Sequence, residues 1–136
     1  MRVSGSIDFI ELDKLKIVLF GIFGKSKLKS RTRIFGDQFS LVDNESELHI
    51  ETFNPIPMKK PRYNLDWDIK KPLKESLMEL NTFINKLRSK NVSYCIAFYP
   101  IDEDESVEIE LRSIGYYNEY EQMKIKCQVE RELPIK

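Results

Sequence analysis

Five apolar residues constrain this chain more than anything else in it. Leu73, Leu77, Leu80, Ile84 and Leu87 recur at spacings of four, three, four and three. At 3.6 residues per turn, those steps place all five on one stripe of an α-helix. The other face carries Lys74, Glu75, Asn81, Asn85, Lys86 and Arg88. Pro72 suits a first helical position, and Asn91 suits a stop. A helix over about 72–90 with one apolar stripe must lay that stripe on a second apolar surface.

The rest of the chain reads as strands that could supply the surface. Ile7 to Leu12 and Leu15 to Phe23 are expected to be two strands around Asp13-Lys14. The second is continuously apolar, as a central strand covered on both faces would be. Ile34 to Val42 is a third candidate. After the polar turn at Asn44 to Ser46, Glu47 to Phe53 puts Leu48, Ile50 and Thr52 on one face and His49 and Glu51 on the other, a hairpin pattern. Asn54 to Lys71 holds Pro55, Pro57 and Pro61 and is expected to be an irregular loop, because proline breaks both ladders and helices. Beyond the helix, Val92 to Ile101, Val107 to Leu111 and Met123 to Val129 alternate as strands do. Strands, one helix, then strands argue for a single α+β domain over 1–136, a mostly antiparallel sheet with the helix on one face. The other face of such a sheet is left for water or a partner.

With 136 residues, 41% of them apolar, the chain can bury a core without disulfides or metals. Cys95 and Cys127 both fall in apolar, strand-like segments and are expected to be buried, reduced thiols, which points to a reducing, cytoplasmic setting. The most apolar run, Leu15 to Gly24, is far short of the roughly 20 residues a membrane-spanning helix needs. Asp8, Glu11 and Asp13 precede it where a signal peptide would be positive. No membrane partner is expected.

Charge is segregated rather than absent. The 22 bases and 22 acids cancel, yet residues 37–58 hold no base and five acids, while residues 59–90 hold nine bases and four acids. Whole-chain electrostatics therefore selects no partner, and only local patches can. Lys25, Lys27, Lys29, Arg31 and Arg33 fall at every second residue. In an extended chain they share a face and could grip phosphates or an acidic protein. The plainer expectation is a solvated loop, or an edge strand whose lysines prevent edge-to-edge pairing. Asp102, Glu103, Asp104, Glu105, Glu108 and Glu110 form the acidic counterpart, six acids within nine residues. Tyr99, Tyr116 and Tyr117 lie near this run, and Trp67 sits between Asp66 and Asp68. Tyrosine and tryptophan are favoured at interface hot spots, so these four join the acids as the candidate partner-binding surface.

Catalytic patterns are missing from the sequence. His49 is the only histidine, and no G-x-S-x-G elbow, C-x-x-C, H-E-x-x-H or glycine-rich phosphate loop occurs. Asp102 with Glu108 and Glu110 faintly resembles the metal-holding Asp and Glu-x-Lys pattern of nucleases, but Glu110 stands where the lysine belongs. No catalytic residue, metal site or cofactor is expected.

A small, single-domain α+β chain with no catalytic set and with segregated charge resembles the bacterial toxin-immunity proteins. The likeness is of make-up and rests on no motif, so no functional residue carries over. It implies a cytosolic inhibitor that blocks a toxin, often a nuclease, whose basic cleft meets acids and aromatics. The alternative is a nucleic-acid-binding module that uses residues 25–33.

Overall fold

The computed structural model describes residues 1–33, 36–52, 59–101, 106–113 and 131. Among these residues, seven strands and two helices follow one another: β1 (Arg2–Asp8), α1 (Leu12–Phe23), β2 (Lys29–Arg33), β3 (Gly36–Val42), β4 (Ser46–Thr52), β5 (Tyr63–Ile69), α2 (Leu73–Ser89), β6 (Ser93–Tyr99) and β7 (Ile109–Arg112). The strands form one antiparallel sheet in the order β2-β3-β4-β5-β1-β6-β7. This is the expected α+β architecture.

The first strand of the chain is inserted in the middle of the sheet. β5 and β6 are both antiparallel to β1, so they run parallel to each other with β1 between them. A hairpin cannot join parallel strands, and α2 makes the crossover. Its stripe packs as the spacing requires: Leu80, Ile84 and Leu87 are buried together with Phe83, while Leu73 and Leu77 are half-buried. Pro72 stands one residue earlier than expected, at the cap. Asn91 is the stop. It takes the left-handed conformation (φ 56°), the Val92 N–H donates to the Leu87 carbonyl at 2.9 Å, and the Asn91 N–H donates to the Arg88 carbonyl at 3.0 Å. Those two bonds satisfy carbonyls the helix end would leave unpaired.

Two expectations fail. The run expected as a strand over Leu15 to Phe23 is helix α1, and the preceding strand is β1, ending at Asp8 rather than Leu12. The left-handed turn at Phe9 (φ 53°) separates them. Leu15, Val18 and Leu19 are the buried positions of α1, a helical spacing. The helix also carries apolar residues off that stripe, with Ile17 62% exposed, and this excess hides the period. Asp13 and Lys14, expected as a strand turn, lie in its first turns. The second failure is 54–71, expected as a loop throughout, which contains β5. Tyr63, Leu65, Trp67 and Ile69 alternate inward there against Asn64, Asp66 and Asp68. The prolines precede the strand rather than interrupt it. The strand expected over Met123 to Val129 lies outside the described residues, as does Cys127.

Both helices cover the same face of the sheet. Val3 and Ile7 of β1, Leu48 and Ile50 of β4, Trp67 of β5 and Phe98 of β6 meet Leu15, Val18, Leu19 and Phe83 in one core. Trp67 is its centre, with ring centroids 5.5 Å from Phe23 and 5.3 Å from Phe83. Its buried indole N–H donates to Ser46 Oγ at 2.9 Å. Gly5 allows the close approach of β1 to β6, since a Cβ there would collide with the Cys95 carbonyl.

Candidate partner-binding face

Alternation along the strands decides what the other face of the sheet displays. Residues one step away from the core positions point away from both helices. The ladders align them in rows. One row runs Val42, Glu47, Asp68, Arg2, Tyr99 across β3, β4, β5, β1 and β6. The next runs Lys29, Ser40, His49, Asp66, Ser4, Ala97, Glu110 across all seven strands. A third runs Arg31, Gln38, Glu51, Asn64, Ser6, Cys95, Arg112. This open face is polar almost throughout.

Its charges fall in zones. On β4 and β5, Glu47, Glu51, Asp66 and Asp68 form an acidic centre with His49 among them. Glu47 accepts from His49 Nε2 at 3.3 Å and pairs with Lys70 Nζ at 3.7 Å, from beyond the end of β5. Toward β7, the Arg2 guanidinium lies 5.3 Å over the Tyr99 ring, and the Tyr99 hydroxyl donates to Glu108 Oε2 at 3.3 Å. Beside them the Arg112 guanidinium bonds Glu110 and holds its carboxyl below the usual range. At the opposite edge stand Lys29 and Arg31 of β2, with Lys25 and Lys27 in the turn before it, all four exposed.

The structure therefore gathers part of the expected surface. Tyr99, Glu108 and Glu110 stand together at the β6–β7 side of the open face. Asp102, Glu103, Asp104, Glu105, Tyr116 and Tyr117 lie outside the described residues. Trp67 is a correction: it is fully buried under the helices and offers no surface to a partner. Its two aspartates do the reverse and point outward. Cys95 is a second correction. It is half-buried on the open face instead of in the core, its thiol donates to Glu110 at 3.6 Å, and burial, followed by that contact, pushes its pKa up.

The acidic centre was legible only through β5. Strict alternation in Tyr63–Ile69 places Asp66 and Asp68 beside Glu47 and Glu51, but that signal is lost once 54–71 is read as a loop. His49 lies on the outer face of β4, as its alternation predicts. Among the described residues no three His, Cys, Asp or Glu side chains converge as a metal site, and no helix is long and apolar enough to cross a membrane.

The strand order also keeps the bases of β2 apart from Glu108 and Glu110. Lys29 and Arg31 sit on one terminal strand of the sheet, and Glu108 and Glu110 at the other. Six inter-strand steps of about 4.8 Å separate them by roughly 29 Å. That is several times the Debye length of about 8 Å at physiological salt, so the two groups act independently. Comparison with protein-family models, curated proteins and solved structures finds no match to this chain.

Proposed function

We propose that this chain is a protein-binding inhibitor of the toxin-immunity type, acting in the cytoplasm, and that the acidic open face of its sheet covers a basic cleft on its partner. One observation carries the reading. Glu47 and Asp68 are direct cross-strand neighbours on a face that neither helix covers among the described residues, with Glu51 and Asp66 alongside. Like charges placed directly opposite destabilise a sheet by a few tenths to about 1 kcal/mol. A basic partner surface turns that repulsion into attraction on binding. Tyr99, Glu108 and Glu110 extend the same face toward β7 and add an amphipathic ring at low entropic cost. The carboxylates would stand where a nuclease holds substrate phosphates, and their field would chiefly raise the association rate. The domain binds and blocks rather than catalyses.

A second reading takes the exposed bases at 25–31 as a nucleic-acid grip, and the same experiment separates the two. Wild-type protein, the variant E47K/D68K and the variant K29E/R31E are used as baits in native cytosol at low and moderate salt. The inhibitor reading expects one stoichiometric protein that stays bound at moderate salt, is retained by K29E/R31E, is lost by E47K/D68K, and loses its own activity in the complex. Nucleic acid that washes off as salt rises and depends on Lys29 and Arg31 would sink the inhibitor reading.

A further inference from the structure

β2 ends the sheet, and among the described residues its outer edge pairs with no strand. At alternate residues such an edge points N–H and C=O groups outward, which makes it a template for one more strand. Neither helix covers it: Ser30, on the helix side, is exposed, as are Lys29 and Arg31 on the open side. The bases here also differ from those elsewhere on the sheet. Arg62, Lys70, Lys71 and Arg112 each hold a carboxylate. Lys25, Lys27, Lys29 and Arg31 form no ion pair with any described residue. The acids of β7 are too far away to serve them.

We propose that the edge of β2 takes up an extended acidic segment of a partner protein as an eighth strand. The charges decide which strands are admitted. Two β2 edges from separate copies would set Lys29 and Arg31 against each other, so self-pairing through this edge is repelled. A strand with Asp or Glu at every second position repeats at about 6.7 Å, the same period as Lys29 and Arg31, and places each carboxylate on the open side opposite a base. Main-chain bonds supply affinity, and the charge pattern supplies selection. Nucleic acid fits less well. It would leave the outward N–H and C=O pattern of the edge unused, and residues 25–33 contain no aromatic side chain on which bases could stack. This surface is separate from the acidic centre and does not depend on the function proposed for it.

Three probes of equal charge test the proposal on the full chain. The first is a nine-residue peptide with Glu at alternate positions and Thr between. The second is the same peptide with two Thr replaced by Pro, which keeps the charge but cannot complete a ladder. The third is a single-stranded oligonucleotide. The proposal expects the first peptide to bind one to one and to slow amide exchange within Lys29–Arg33. Loss of two ladder bonds should weaken the proline peptide by about tenfold or more. K29E/R31E should weaken the first peptide by a similar factor, K29Q/R31Q by less, and E75Q, at an exposed position of α2, should leave it unchanged. Absence of binding overturns the proposal. So does a proline peptide or oligonucleotide that binds as tightly as the alternating peptide, or binding without protection of β2.

Discussion

Glu47 and Asp68 stand directly opposite each other across the β4–β5 ladder, both on the open side of the sheet. Each has a cationic neighbour, Lys70 from just beyond β5 at 3.7 Å from Glu47 and Arg2 across the β1–β5 ladder from Asp68. Those neighbours moderate the repulsion. A double-mutant cycle of Glu47→Gln and Asp68→Asn should return an unfavourable coupling of roughly 0.2–1 kcal/mol. Urea unfolding checks it, and the coupling should shrink as salt is raised. A favourable coupling would mean that the pair is not the strained centre of the face.

Trp67 is expected to be the most costly single truncation. Trp67→Ala removes the ring that Phe23 and Phe83 pack against and should cost about 3–5 kcal/mol. Ser46→Ala leaves the buried indole N–H without its acceptor and should cost about 1–3 kcal/mol. Urea midpoints at constant slope, followed by circular dichroism, report both, and the fluorescence of Trp67, the only tryptophan, is a local probe for Ser46→Ala.

The helical assignment of 12–23 predicts opposite outcomes at adjacent residues. Ile17 is exposed and Val18 is fully buried. Ile17→Lys should change stability by no more than about 0.5 kcal/mol, whereas Val18→Lys buries an unpaired charge and should unfold the domain. Circular dichroism and thermal melts distinguish them. A central strand in this segment, covered on both faces, would fail at both positions.

Tyr63 gives the alkaline limb of the stability profile. It is fully buried, with the Thr52 side chain as the polar neighbour of its hydroxyl. Burial first, and the charge of Asp37 second, push its pKa up from 10.0 to about 12. A raised folded pKa means that its contribution is fully present below pH about 10 and is lost as pH rises toward about 12. Tyr63→Phe should remove that loss and leave stability at neutral pH unchanged or higher by up to about 1 kcal/mol. Denaturant unfolding of both proteins across that pH range checks it.

Legibility in the sequence followed how cleanly each element separates its two faces. α2, β4 and β6 each gather their buried aliphatic and aromatic residues on one side, and each lies where the sequence places it within one or two residues. α1 has one buried stripe, but Ile17, Phe20, Ile22 and Phe23 lie outside its fully buried positions, so a helical run looks like a buried strand. β5 has perfect alternation and was masked by the prolines before it. The site shares these fortunes. Tyr99, Glu108 and Glu110 were visible as an acidic-aromatic cluster, whereas Asp66 and Asp68 needed β5 to be known. Flanking aspartates suggested that Trp67 is exposed, when strand parity required the opposite.

The insertion of β1 between β5 and β6 has a kinetic meaning. β2 to β5 are sequential neighbours and can zip from one hairpin to the next, as local pairings do quickly. β1 must wait for Tyr63–Ile69 on one side and Ser93–Tyr99 on the other. Each closure spans some tens of residues and carries the entropy of a long loop. On a ribosome, then, β1 would be made before both of its partners, and its apolar residues Val3 and Ile7 would stay open to other contacts until β5 and the crossover helix have emerged.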